Sequence, residues 1–262
     1  MTQATQTLLN GDWPYPRWIA HRGAGKLAPE NTLAAFALGA QHGYRMFECD
    51  VKLSLDDVPF LLHDDTLSRT TNAISAWNTD HNPVAGHLAW SKLSTLDAGS
   101  WHSEQFIDTK IPTLEQVAAF CTQNNCHINL EIKPTTGTDH HTGAVVAQYA
   151  ARLWQHAATP PLLSSFKPEA LRGAAAARAA LPRALLLDTL WDGWLQTALE
   201  LQCVAIVFHH SLISYETPQL VKEEGLRFLS YTVNDAETVN RLQALGIDGI
   251  ITDRVDFFKP DQ

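Results

Sequence analysis

Short apolar runs alternate with helical segments along most of the chain. The segments between them, such as 114–124 and 141–156, have the apolar periodicity of amphipathic helices. Strands that are apolar on both faces and joined by helical crossovers form a parallel sheet. The runs predict eight such strands, at 17–20, 45–51, 127–132, 161–164, 184–187, 204–208, 227–233 and 249–252.

Eight strand-helix units predict an α/β protein with a closed (β/α)8 TIM barrel. A doubly wound open sheet is the alternative. That fold usually carries the pattern G-x-G-x-x-G after its first strand, and residues 21–25 lack this spacing. The barrel is therefore the preferred interpretation.

The alternation is interrupted at residues 64–112. This segment follows a short additional strand at 59–62 and is rich in Thr, Asn, Ser, Trp and Gly, with little periodicity. We expect a small insertion after strand two, inside a single domain that covers residues 1–262.

Composition and charge narrow the class of protein. The chain has 45% hydrophobic and 18% charged residues, which is enough apolar surface for a substantial core. Its formal charge of −9 argues against a surface for nucleic acid or anionic lipid. The four cysteines lack metal-site spacing, so we expect reduced, mostly buried thiols.

The chain shows no sign of a targeting or membrane segment. Residues 1–11 are polar and lack the apolar core of a secretory signal. No apolar run approaches the roughly 20 residues that a membrane helix needs. We expect a soluble cytoplasmic protein without stable membrane association.

Carboxylates stand at the ends of two predicted strands. Positions i and i+2 of a strand share a face, so Glu48 and Asp50 point the same way, as do Glu131 and Lys133. Three carboxylates at one barrel mouth repel each other unless they are neutralised. An oxygen-only set suits Mg2+ or Ca2+ better than zinc.

A structural ion network is the alternative interpretation of these carboxylates. In that network, Arg22, Arg45 and Lys133 would neutralise them without any metal. We favour the metal site because two histidines stand beside it in the predicted barrel mouth.

His21 and His63 each close an apolar strand and adjoin a polar residue. Two imidazoles can act as acid and base near neutral pH, as cleavage of a phosphodiester requires. Arg22 and Lys133 could hold a phosphate oxyanion by charge-assisted hydrogen bonds. The other conspicuous histidine pairs, at 140–141 and 209–210, are expected in surface loops without neighbouring carboxylates.

The sequence resembles the glycerophosphodiester phosphodiesterases, and in particular their cytosolic bacterial form. The matching motifs occur in the family's order over residues 17–254, nearly the whole chain. They are H-R-G at 21–23, P-E-N-T at 29–32, E-x-D-V at 48–51, L-H-D at 62–64, E-I-K-P at 131–134, S-S-F at 164–166, Y-T-V-N at 231–234 and D-G-I-I-T-D at 248–253. The resemblance implies a TIM barrel with a small insertion after strand two.

The resemblance also implies a metal-dependent hydrolase. Glu48, Asp50 and Glu131 would bind one divalent cation, with Mg2+ expected and Ca2+ or Mn2+ as alternatives. The substrates would be small glycerophosphodiesters such as glycerophosphocholine and glycerophosphoethanolamine. The products would be sn-glycerol 3-phosphate and an alcohol.

Further roles are implied for individual side chains. His21 and His63 would form the acid–base pair, and we favour His63 as base and His21 as acid. Arg22 and Lys133 would hold the phosphate. Tyr231 stands where many family members have Trp and would lie near the glycerol. The nucleophile could be the glycerol 2-hydroxyl, through a cyclic phosphate, or water.

Two other functions compete with this interpretation. A phospholipase acting on intact lipid would need an exposed apolar rim, and segment 64–112 is polar, especially at 72–81. A non-catalytic phosphate-binding barrel would not need two rim histidines together with three carboxylates. Activity on vesicles comparable to that on water-soluble diesters would overturn the preferred function, and normal hydrolysis by a His21→Ala variant would overturn the catalytic assignment.

Overall fold

Eight parallel strands close a barrel in a computed structural model of the chain, which describes residues 13–260. β1 pairs with β9 on one side and with β2 on the other, so none of the eight parallel strands is an edge strand in the described residues. β3 adds an antiparallel hairpin arm to β2. The strands are β1 (Trp18–Ala20), β2 (Met46–Leu53), β3 (Pro59–Leu61), β4 (His127–Ile132), β5 (Leu162–Ser165), β6 (Arg183–Leu187), β7 (Ala205–His209), β8 (Arg227–Tyr231) and β9 (Gly249–Thr252). The predicted TIM barrel is confirmed. Residues 1–11, in which the sequence predicts no secretory signal, lie outside the described residues.

Helices connect successive barrel strands and form the outer layer. Within residues 13–260 they are α1 (Leu33–Gln41), α2 (Ala73–Ala76), α3 (Trp90–Leu93), α4 (Leu114–Gln123), α5 (Asp139–Leu153), α6 (Pro168–Ala177), α7 (Trp194–Glu200), α8 (Thr217–Glu223) and α9 (Ala236–Ala244). α1 begins at Thr32, whose hydroxyl accepts a hydrogen bond from the Ala35 amide. α4 begins with a reciprocal capping box between Thr113 and Gln116.

The apolar side chains divide into two layers because strand residues alternate in direction. One set fills the barrel interior and includes Ile19, Met46, Leu162 and Leu229. The other set faces the helices, as Phe47 of β2 does. The inward positions become polar toward the carboxyl ends of β2 and β4. This change from apolar to polar places the functional site at the carboxyl rim of the barrel.

Residues 62–113 connect β3 to α4 and carry α2, α3 and two short 3-10 helices, Ala85–His87 and Glu104–Phe106. Their apolar side chains form a cluster of their own with Phe60 of β3. The segment also contacts the loop after β1, since Nε2 of His102 lies 3.0 Å from the Lys26 carbonyl oxygen. The segment therefore supports the loop that carries His21 and Arg22.

The structure corrects the expectation for the two histidine pairs. His140 and His141 lie in α5 rather than in a loop, and Nε2 of His141 is 2.8 Å from Oδ1 of Asp57. His209 ends β7 on the barrel wall. The cause in the first case is that α5 begins at residue 139, two positions before the predicted start.

The cysteine prediction is confirmed, because all four thiols are free and buried. Burial raises the pKa of the Cys203 thiol to about 12, so it stays protonated at neutral pH. Among residues 13–260, no helix has both the length and the apolar character to cross a bilayer.

Candidate active site

Three carboxylates converge inside the rim of the barrel. Glu48 and Asp50 point inward from β2, and Glu131 points inward from β4, where it is the register partner of Asp50. Each offers an oxygen that lies within 4.8 Å of the others, and all three residues are buried. We call this group the carboxylate triad.

Burial and mutual repulsion shape the ionisation of the triad. Burial, followed by the charge of Asp50, raises the pKa of Glu131 to about 7. Burial and the charges of Asp50 and Glu131 likewise raise the pKa of Glu48. Burial also opposes ionisation of Asp50, but Arg22 and Lys133 outweigh it and hold that pKa at about 2. Two of the three carboxylates therefore need an additional positive charge to ionise fully at neutral pH.

The donor set fits a hard divalent cation. Oε2 of Glu48 accepts a hydrogen bond from the Arg22 amide at 3.1 Å. Oε1 of Glu48 is buried and has no hydrogen-bond partner among residues 13–260. An orphaned carboxylate oxygen, beside two further carboxylates and without any sulfur ligand, suits Mg2+, Mn2+ or Ca2+.

Two cationic side chains flank the triad. Nε of Arg22 lies 3.3 Å from Oδ2 of Asp50, and Nη1 of Arg22 donates to Oε1 of Glu30 at 2.9 Å. Nζ of Lys133 lies 3.3 Å from Oε1 of Glu131 and 3.7 Å from Oδ1 of Asp50. These contacts form part of the ion network that the sequence offered as an alternative.

Arg45 does not belong to that network. Its guanidinium donates to the carbonyl oxygens of Ala40 and Tyr44, at the end of α1 and the start of β2. The predicted ion network is therefore incomplete, because Arg45, its third cation, donates to backbone carbonyl oxygens instead.

The loop after β1 adopts a backbone conformation that places Arg22 over the triad. Arg22 has φ +51° and Asn31, at the far end of the loop, has φ +59°. Nδ2 of the Asn31 side chain donates to Oδ2 of Asp50 at 2.8 Å, and Oδ1 of the same side chain accepts from the backbone amide of Asp50 at 3.1 Å. This two-way contact fixes the loop against β2 and offsets the strain of two left-handed residues.

Each predicted histidine has an aspartate on Nδ1. For His21 the partner is Asp253, at 2.7 Å. Hydrogen bonds from His21 and Asn234 overcome burial and lower the pKa of Asp253, so its carboxylate can only accept. Nδ1 of His21 must then carry the hydrogen. Its Nε2, 3.8 Å from Oε2 of Glu48, is left to exchange protons at the site.

His63 is held in the same manner by its sequence neighbour. Nδ1 of His63 lies 2.7 Å from Oδ1 of Asp64. Burial lowers the pKa of His63, and the charges of Arg22 and Lys133 act in the same direction. The imidazole of His63 is therefore neutral at pH 7, and its Nε2 has no hydrogen bond to any residue in 13–260.

Arg69 links this histidine to the opposite loop. Its guanidinium donates twice to Asp64, at 2.6 and 2.8 Å, and twice to Glu30, at 2.7 and 2.8 Å. Glu30 in turn binds Arg22. One chain of charged hydrogen bonds thus joins His63 to Arg22 through the segment that follows β3.

An aromatic wall stands on the other side of the triad. Tyr231 packs edge to face on Phe166 and on His209, with ring centroids 5.6 Å apart in both pairs. Its hydroxyl donates to the Leu187 carbonyl oxygen at 3.2 Å. Tyr231 also lines a cavity of about 20 Å3 together with His21, Glu48 and Glu131.

The structure therefore brings the predicted site residues to one rim. It adds four side chains to which the sequence analysis gave no role: Asp253, Asp64, Arg69 and His209. Asp64 and Asp253 end two of the family motifs quoted above, so those motifs contained the signal. No pattern in the sequence marked Arg69 or His209.

Comparisons with known proteins identify the family. The sequence model of the glycerophosphoryl diester phosphodiesterase family matches residues 21–257. A glycerophosphodiester phosphodiesterase of Caldanaerobacter subterraneus is 31% identical over 240 residues, covering 90% of this chain and 93% of the relative.

Solved structures are similar over nearly the whole chain. A phosphodiesterase of Oleispira antarctica, solved with the product sn-glycerol-3-phosphate, has a TM-score of 0.81 and 32% identity, covering 91% of this chain and 93% of that one. A glycerophosphodiester phosphodiesterase of Agrobacterium tumefaciens has a TM-score of 0.76 and 26% identity, covering 92% and 97%. The chain belongs to the glycerophosphoryl diester phosphodiesterase family and is a phosphodiester hydrolase.

Proposed function

We propose that this protein hydrolyses small glycerophosphodiesters, such as glycerophosphocholine and glycerophosphoethanolamine, to sn-glycerol 3-phosphate and an alcohol, with a divalent cation, Mg2+, as cofactor. The observation that carries the proposal is the buried carboxylate triad beside two histidines, each held by an aspartate. The product bound to the Oleispira antarctica relative supports the same reaction.

Glu48, Asp50 and Glu131 would hold the cation. A cation held there would supply Lewis-acid chemistry toward the phosphate and would compensate the charge of the triad. The orphaned Oε1 of Glu48 supports this role, because a buried carboxylate oxygen without a donor is costly unless a ligand satisfies it.

Arg22 and Lys133 would bind the phosphate. Both are cations beside the triad, and their carboxylate partners raise the pKa of each against the effect of burial, so both remain charged. Charge-assisted hydrogen bonds from such groups stabilise the negative charge that develops on phosphate oxygens. Tyr231, backed by Phe166, would pack against the carbon skeleton of the glycerol.

The two histidines would divide the proton transfers. His63 would act as base, since burial keeps it neutral and Asp64 directs its Nε2 as the accepting nitrogen. His21 would act as acid: as an imidazolium it would give the proton on Nε2 to the departing alcohol, and Asp253 would stabilise the charged ring through Nδ1.

The same proposal includes the organisation of the chain. We expect residues 1–262 to act as one domain with segment 64–112 as an insertion, and we expect a cytoplasmic location. Deletion of the insertion should abolish activity, because Arg69 and His102 of that segment contact the loop that carries Arg22.

The test is release of choline or ethanolamine from purified glycerophosphodiesters. The expected result is no release with a chelator and recovery when Mg2+, Mn2+ or Ca2+ is added back. No release with any metal would contradict the proposal. A parallel assay on phospholipid vesicles separates this function from a phospholipase, and comparable rates on vesicles would favour the phospholipase.

A further inference from the structure

A second cavity adjoins the triad on the side of Lys133 and holds about 190 Å3. Residues of β2, β4 and the loop after β5 line it, together with Asp65 of the segment after β3. The side chains that matter here are Lys52, Asp65, Glu131, Lys133, Phe166 and Lys167. Its volume has room for several waters or a small polar group. None of the roles proposed above uses Lys52, Asp65 or Lys167.

Lysines dominate the charge of this cavity. Lys52 is buried, with 1% of its side chain exposed, and its Nζ donates to Oδ1 of Asp65 at 2.6 Å. Lys167 is exposed, and its ammonium has no hydrogen bond or ion pair with any other residue in 13–260. Asp65 offsets Lys52, and Glu131 belongs to the triad. Lys167 therefore leaves an uncompensated positive charge at the cavity wall.

We propose that this cavity is a subsite for an acidic group on the alcohol part of the substrate. The diester would place its phosphate against Lys133 and direct a carboxylate or second phosphate of the alcohol toward Lys167 and Lys52. This inference rests on the proposed function and specifies its substrate class. Alcohols with an acidic group are then preferred to choline and ethanolamine.

One feature of the cavity favours the opposite specificity. The ring of Phe166 lines the wall, and aromatic faces attract ammonium groups. A single ring that already packs edge to face on Tyr231 competes with the uncompensated ammonium of Lys167. In a partly enclosed site, the repulsion between the Lys167 ammonium and an ammonium group of the substrate outweighs the attraction of the ring.

The test uses a matched pair of substrates. Glycerophosphoserine differs from glycerophosphoethanolamine by one carboxylate. We expect kcat/KM for the serine diester to exceed that for the ethanolamine diester by about tenfold, the factor that one charge-assisted hydrogen bond supplies. A ratio of one or less in the wild-type enzyme would overturn the inference while leaving the proposed function intact.

Variants of Lys167 test whether this residue causes the preference for the serine diester. Lys167→Glu should bring the ratio to about one or below, and Lys167→Ala should give an intermediate ratio. Lys259→Glu, an exposed lysine outside the cavity with the same charge change, should leave the ratio unchanged. An unchanged ratio in Lys167→Glu would overturn the inference. If neither diester is hydrolysed with any metal, the proposed function fails and the inference falls with it.

Discussion

Nδ1 of His21 lies 2.7 Å from Oδ1 of Asp253, although 232 positions separate the two residues in the sequence. Closure of the barrel causes this proximity, because β1 pairs in parallel with β9 and Ala20 is the register partner of Thr252. His21 and Asp253, which follow β1 and β9, therefore lie at the same point on the rim. The imidazole of His21 is thereby fixed in one tautomer.

Replacing Asp253 with Asn should impair catalysis more than binding. The variant keeps the side-chain volume but removes the carboxylate that holds the hydrogen on Nδ1, so Nε2 loses its role in proton exchange. We expect kcat to fall by about 10²–10⁴-fold, as for other histidine–aspartate pairs, with little change in metal affinity. Steady-state kinetics and metal titration check this. Asp256→Asn, which removes an exposed surface carboxylate paired with Arg254, is the control. Equal kcat in the two variants would refute the role of Asp253.

Arg69 should act as a positioning residue for His63. Arg69→Met breaks four hydrogen bonds that join Asp64 to Glu30, so we expect kcat to fall by about 10- to 100-fold. Arg69→Lys should not restore the rate, because an ammonium cannot reproduce the two forked contacts. Arg172→Met, which removes an exposed ion pair of α6, is the matched control. Full activity in Arg69→Met would show that the link is only structural.

The activity should depend on the protonation of His63. Its lowered pKa means that the neutral imidazole persists below pH 6.5, so the acid limb of kcat/KM should have its midpoint below 6.5. The hydrogen bond that His63 donates to Asp64 raises the pKa of His63, and Asp64→Asn should therefore move the limb to still lower pH. A pH–rate profile of both proteins, recorded with saturating Mg2+ at every pH, checks this. A midpoint above 6.5, or a shift to higher pH in the variant, would contradict the assignment.

Metal affinity should rise with pH. The pKa of Glu131 is about 7 in the metal-free protein, and a protonated carboxyl must lose its proton before it binds a cation. Affinity should therefore weaken by at least about tenfold for each pH unit below 7, since the pKa of Glu48 is raised as well. Calorimetric titration with Mg2+ or Mn2+ from pH 5.5 to 8 measures it, with Glu115→Gln as a surface control. A constant affinity over this range would show that Glu131 is not a ligand.

Much of the site could be predicted because strand geometry is local. Alternation places Glu48 and Asp50 on one face of β2, and the parallel register then brings Glu131 beside Asp50. Barrel closure itself followed from the count of strand-helix units. The roles of these residues stay predictions, since their positions alone do not establish catalysis.

The remaining contacts depend on tertiary packing. Arg69 lies in a segment without periodicity, and only the packing of that segment on the loop after β1 brings it to Glu30. His209 resembled a loop residue, yet it extends β7 by one inward position opposite Tyr231. α5 begins at Asp139 without a side-chain cap at Thr138, so no capping signal marked its true start.

The most direct test of the account is formation of sn-glycerol 3-phosphate from glycerophosphoethanolamine by the metal-stripped protein, before and after addition of Mg2+. We predict product only after Mg2+ is added, and none from Glu131→Gln under either condition. Equal product formation with and without a divalent cation, or normal product formation by Glu131→Gln, would contradict the carboxylate triad as the metal site.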